Sequence, residues 1–123
     1  MTRRQTGFPP TTIRQIEQRS NGDCEIGLTG CTGTAVEIQH RRARGAGGSR
    51  RPETNLASNS LAVCRSCHSW IESNLGVARV RGWSVRQSVG QPGLVPVLRL
   101  GVYVLLDDEG GWVEVDEPSG LEP

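Results

Sequence analysis

Residues 24–71, CEIGLTGCTGTAVEIQHRRARGAGGSRRPETNLASNSLAVCRSCHSWI, decide how this chain is read. They hold all four cysteines as two local pairs, Cys24/Cys31 and Cys64/Cys67, together with both histidines, His40 and His68. Six soft or borderline metal-ligand side chains therefore fall within 45 consecutive positions. Zn²⁺ takes four ligands in a tetrahedron and favours thiolates at structural sites. Cys64-x2-Cys67 has the reach to place two sulfurs on one ion, and a turn would bring Cys24 and Cys31 together. One such ion would staple two elements across the 32 residues that separate the pairs. Free thiols and two disulfides are the competing readings. With four thiolates on the zinc, His40 and His68 are left over as functional groups.

Outward from this stretch, the composition is that of one small domain. The chain has 123 residues, 35% of them hydrophobic, with a single Phe and a single Tyr. So thin a core is marginal, and a structural metal is a usual remedy. Net charge is +1, but residues 1–52 carry nine Arg against Glu17, Asp23, Glu25 and Glu37, while residues 100–123 carry seven acids and no base. The front half suits a polyanion and the tail does not. No apolar run is long enough to span a bilayer. The basic start MTRRQTGFPPTT lacks an apolar signal region. A cytoplasmic protein is expected, with no membrane partner, and in that compartment paired cysteines favour metal over disulfide.

The local patterns predict an α+β fold. Thr11 or Thr12 is the expected cap of a short helix over 11–20, ended by Asn21-Gly22. CEIGL (24–28) and TAVEIQH (34–40) read as the two strands of a hairpin. RRARGAGGSRRPE (41–53) reads as an exposed loop, and 55–63 as an irregular segment anchored by Leu56 and Leu61. CRSCHSWIESN (64–74) reads as a turn entering a helix, with Trp70 and Ile71 facing inward. VPVLRLGVYVLLDDEGGWVEV (95–115) predicts a β-hairpin or three-stranded meander. The expected organisation is a basic tail and helix (1–20), a zinc domain (21–86), a linker (87–93) and a β appendage with an acidic tail (94–123).

QHRR (39–42), the glycines of RGAGG (44–48) and NSLAVCRSCH (59–68) resemble the HNH endonuclease motif, in the ββα-metal subgroup with a four-cysteine zinc. The small HNH proteins of actinobacterial phages, often encoded beside packaging (terminase) genes, are similar over roughly residues 20–85. The resemblance implies a zinc-stapled, treble-clef-like ββα-metal finger that hydrolyses DNA phosphodiesters with low sequence specificity. It implies His40 as the general base, Asn59 as the amide that orients it by bridging nearby backbone, and His68 as a ligand of a catalytic divalent cation (Mg²⁺, Mn²⁺ or Ni²⁺). Cys24, Cys31, Cys64 and Cys67 would hold the structural Zn²⁺. The family places Asp or His directly before the base as a second ligand of the catalytic ion; this chain has Gln39, which coordinates without charge. Glu37 lies two residues earlier on the same strand face. Asn55 competes with Asn59, which is preferred on its spacing to Cys64. Arg41, Arg42, Arg44, Arg50 and Arg51 are the expected contacts to the DNA backbone, with Gly45, Gly47 and Gly48 letting the loop follow a groove. Terminase subunits are the implied protein partners. The alternative expectation is a catalytically weakened zinc-finger module that binds DNA or docks on a terminase.

Overall fold

The computed structural model describes residues 7–45 and 50–119. The expected Gly47 and Gly48 contribution lies outside these. Helix α1 (Pro10–Ser20) opens on Pro10 rather than on a threonine cap, because proline at the first helical position already has helical φ and lacks only an N–H that would be unpaired. It ends where Asn21 turns left-handed (φ 54°) and donates its N–H to the Glu17 carbonyl. Its buried face carries Ile13 and Ile16.

Strand β1 (Glu37–His40) pairs antiparallel with β2 (Ser60–Val63), in the register Glu37↔Val63 to His40↔Ser60. This corrects the expected hairpin. Residues 24–28 form no strand; a lone bridge, Asp23↔Thr34, closes a knuckle, and Cys24 donates its N–H to Gly33 O. The true partner of β1 lies across the Arg-rich loop, in the stretch expected to be irregular. Its four residues are all buried, so β2 lacks the polar–apolar alternation by which half-exposed strands are recognised.

Helix α2 (Arg65–Ser73) follows β2 directly, with Cys64 as its N-cap accepting the Cys67 N–H at its sulfur. Helix α3 (Leu75–Val80) runs into Gly82, which sits at φ +77° with no room for a Cβ: one would collide with the Pro96 carbonyl oxygen. Strands β3 (Val97–Arg99), β4 (Val102–Leu106) and β5 (Trp112–Glu114) then form the expected meander, in the order β3-β4-β5.

Side chains alternate across a strand, so the β1–β2 ribbon presents two faces. Ile38 and Ala62 meet α1 in a small cluster with Phe8, Ile13 and Ile16. Leu61 and Val63 face the main core, with Cys24, Ile26, Cys64, Cys67, Ile71 and Trp83. Val97, Val104 and Leu106 belong to that same core, so the C-terminal strands are no appendage. The expected linker is gripped as well: Arg42 donates to Val89 O and Gly90 O, and Arg51 to Gln87 O and Val89 O. Among the described residues, no helix is long and apolar enough to cross a membrane.

Candidate metal centre and histidine site

The four cysteine sulfurs lie within 4.8 Å of one another, and none is in a disulfide. Cys31 Sγ and Cys64 Sγ are 3.8 Å apart. That is about the edge of a tetrahedron with metal–sulfur bonds of about 2.3 Å, and far outside the roughly 2.05 Å of a disulfide. The Cys24–Cys31 knuckle is shaped by left-handed glycines at 27, 30 and 33, and Gly33 donates its N–H to Cys31 Sγ at 3.3 Å. Burial pushes the Cys24 and Cys67 thiols up. Burial acts in the same direction on Cys64, but hydrogen bonds from Cys67 and Thr32 outweigh it and draw that thiol down to about 6. Four thiolates this close repel one another, and a bound cation removes that repulsion. The donor set and spacing therefore fit a metal ion such as zinc.

His40 ends β1 on the α1 side of the ribbon. Phe8 stacks on its ring with centroids 4.2 Å apart and planes 15° apart. Its Nε2 lies 2.9 Å from Asn55 Oδ1. Burial lowers the imidazole pKa below its ordinary value, the Asn55 hydrogen bond raises it, and the Arg44 charge lowers it again. The ring is thus neutral at physiological pH. With Asn55 Oδ1 accepting from Nε2–H, Nδ1 carries the lone pair.

Asn59 is fully buried, and its side-chain hydrogen bonds go to backbone rather than to the His40 ring. Its Oδ1 accepts the Arg42 N–H at 2.8 Å, and its Nδ2 donates to Arg42 O and Thr54 O at 3.1 and 2.9 Å. One amide therefore clamps both ends of the loop that follows His40. The direct contact to the ring is made by Asn55, the competing asparagine.

His68 stands on the opposite face, toward α2. Its Nδ1 meets Glu37 Oε1 at 3.1 Å and its Nε2 meets Glu72 Oε1 at 2.9 Å. Gln39 is buried on the same face as Glu37, and its Nε2 donates to Trp83 O at 2.8 Å. That bond fixes the amide orientation. It leaves Oε1 one of two buried side-chain polar atoms without a partner among the described residues, the other being Arg42 Nε.

Two of the expected DNA contacts are corrected. Arg41 and Arg42 are 1% and 0% exposed. Arg41 donates to the carbonyls of Gly82, Ser58, Pro92 and Val95. Burial, and then the Arg19 charge, lower its pKa to about 9, so it stays charged. Arg51 is half-buried on the 87–89 backbone. Arg44 and Arg50 are on the surface.

A further buried cluster had no clear signal in the sequence. Glu25 is fully buried, bound by Arg19 at 2.8 Å through both oxygens and by Arg99 at 2.7 Å. It also accepts the Ala62 N–H. The only hint was an acid in the otherwise apolar run CEIGL.

No family model, curated protein or solved structure matches this chain.

Proposed function

We propose that the protein is a metal-dependent DNA endonuclease of the HNH type, with the four cysteines as its structural zinc site and His40 as its general base. The observation that carries the reading is His40 itself: a neutral imidazole, fixed by Phe8 and Asn55, at the strand end where the Asn59-clamped loop begins. The β1–β2–α2 order, with the second cysteine pair at the β2–α2 junction, supports a treble-clef-like finger.

In this reading a water is oriented toward His40 Nδ1, which takes its proton. The resulting hydroxide attacks phosphorus, and the bond from phosphorus to the 3′ oxygen breaks, that oxygen leaving as an alkoxide that takes a proton from solvent. Glu37, Gln39 Oε1 and His68 are the residues that would hold a divalent cation, but they lie on the face of the ribbon opposite His40, which counts against a shared centre. When bound, such an ion supplies Lewis-acid stabilisation of phosphate charge. Arg44 and Arg50 would contact the DNA backbone and position it without reading its sequence. A supporting role in phage DNA packaging, beside terminase subunits, belongs to the same proposal.

The test is nicking of supercoiled plasmid with Mg²⁺, Mn²⁺ or Ni²⁺, beside His40→Ala. Cleavage by the wild type alone supports the reading; equal cleavage by both removes His40 as the base. A second reading, a binding module with a weakened centre, is favoured by one observation: both ring nitrogens of His68 are engaged by carboxylates. Absence of cleavage with every metal, from zinc-loaded protein that still binds DNA, would select it.

A further inference from the structure

Away from the histidines, a cleft of about 750 Å³ opens between the 53–58 segment, the 90–94 turn and the β4–β5 end of the three-stranded sheet. Its apolar lining includes Leu94, Trp112 and Val113, which are 71%, 49% and 58% exposed. Large side chains so exposed around one cleft mark a surface that meets something. Its charged lining residues are all acids: Glu53, Asp107, Asp108 and Glu109. Glu53 is paired with Arg42 and Arg51. Asp107 is held by the backbone amides of Glu109 and Gly111, and Asp108 by the Ser58 hydroxyl. Neutral donors fix Asp107 and Asp108 in place, and among the described residues no cation pairs with them or with Glu109. Among the described residues β5 pairs only with β4 and is exposed along its length, so its outer backbone edge can receive another strand.

We infer that this cleft docks an extended peptide segment of another protein, one carrying an aliphatic or aromatic anchor between Lys or Arg residues. The anchor would seat against Trp112, the backbone would add to β5, and the cations would lie along the acidic rim. Charge complementarity selects this occupant. Three uncancelled carboxylates repel the phosphates of a nucleic acid and the side chains of an acidic peptide. The inference does not depend on whether His40 cleaves DNA.

The experiment uses the full chain, zinc-loaded, and a fluorescein-labelled peptide of about nine residues alternating Leu or Val with Arg or Lys, a length suited to strand addition. Its counterpart carries Glu at every basic position. The expected result is anisotropy-detected binding of the basic peptide only. Amide shifts should be concentrated at 105–113, and affinity should fall at least about tenfold in Trp112→Ala and in Glu109→Lys. Glu109→Lys changes an exposed turn residue and keeps the test valid if Trp112→Ala weakens the sheet. The inference is overturned if the basic peptide fails to bind, if the acidic peptide binds equally, or if both variants bind like wild type. It is equally overturned if sedimentation shows the chain pairing with itself through this edge, in which case a second copy is the occupant.

Discussion

His40 is held from two sides, and each contact has its own consequence. Phe8 limits ring rotation, while Asn55 decides which nitrogen carries the proton. The Asn55 bond raises the imidazole pKa against the larger lowering by burial. Asn55→Ala should therefore move the pKa further down and Asn55→Asp should move it up, as read by NMR titration of a protein with two histidines. A general base works in its neutral form, so the acid limb of the cleavage rate should shift the same way in each variant. Asn55→Ala should also lose on the order of tenfold in rate, because a ring free to turn is less often aligned. The sequence singled out His40 but not its partner: Asn55 and Asn59 look alike in a string, and only the three-dimensional loop separates their roles. Glu25 gives a second residue-scale prediction. Burial alone would raise its pKa, but Arg19 and the hydrogen bonds around it bring the net value below the ordinary one. Its contribution to stability is therefore present above its unfolded pKa and is lost as pH falls through the folded value. Glu25→Gln leaves Arg19 and Arg99 facing an uncharged group and should cost about 3–5 kcal/mol in urea unfolding at neutral pH. The variant should also lack this group's share of the acid-induced loss.

The elements most legible in the sequence were those with local signatures. α1 announced itself by Ile13 and Ile16 and by Asn21-Gly22, α2 by Cys64-x2-Cys67, and the meander by β-branched runs broken at Gly101 and Gly110-Gly111. β2 was not legible, because burial on both faces removes alternation and its partner is distant in sequence. The cysteine centre is what makes these short pieces cooperate. β1 and β2 have four residues each, and the knuckle has only an isolated bridge. Two-stranded ribbons of this length are marginal alone. Stripping the metal with a chelator, or replacing Cys67 by Ser, should therefore collapse the 24–34 knuckle and the β2–α2 junction together. The check is loss of amide protection in both segments at once. Co²⁺ substituted into the native chain should show thiolate-to-metal charge-transfer absorption that disappears in the variant. Gly82 makes an independent joint. Its left-handed φ and the Pro96 carbonyl beside it exclude any side chain, so Gly82→Ala should destabilise by about 1–3 kcal/mol by urea unfolding without displacing the bound metal.

At the scale of the whole molecule, charge counted along the sequence overstates what the surface offers. Of the nine arginines in residues 1–52, Arg19, Arg41 and Arg42 are buried and spend their donors on internal carbonyls or on Glu25. No composition rule distinguishes Arg41 or Arg42 from a phosphate contact, because both kinds sit in Gly-rich, aperiodic sequence. The difference is made by the 82–95 segment folding back over the loop and supplying the carbonyls. Arg44 and Arg50, both in the loop that follows His40, are on the surface, while the acids of the 107–117 region lie on the three-stranded sheet and its tail. A polyanion should thus be drawn to one part of the molecule and turned away from another. Arg44→Gln and Arg50→Gln should each weaken duplex DNA binding. Each should also reduce the slope of log K against log salt by about 0.9 for every phosphate that the arginine had neutralised, and Arg50→Gln should change stability by less than about 0.5 kcal/mol. Arg42→Gln should do the reverse: it frees the Val89 and Gly90 carbonyls inside the protein and should lower stability by about 2–4 kcal/mol. Its salt slope should stay at the wild-type value once the folded fraction is taken into account. If Arg42→Gln instead lowered the slope at unchanged stability, the buried placement of that side chain, and the division of the arginines into internal and external sets, would both be wrong.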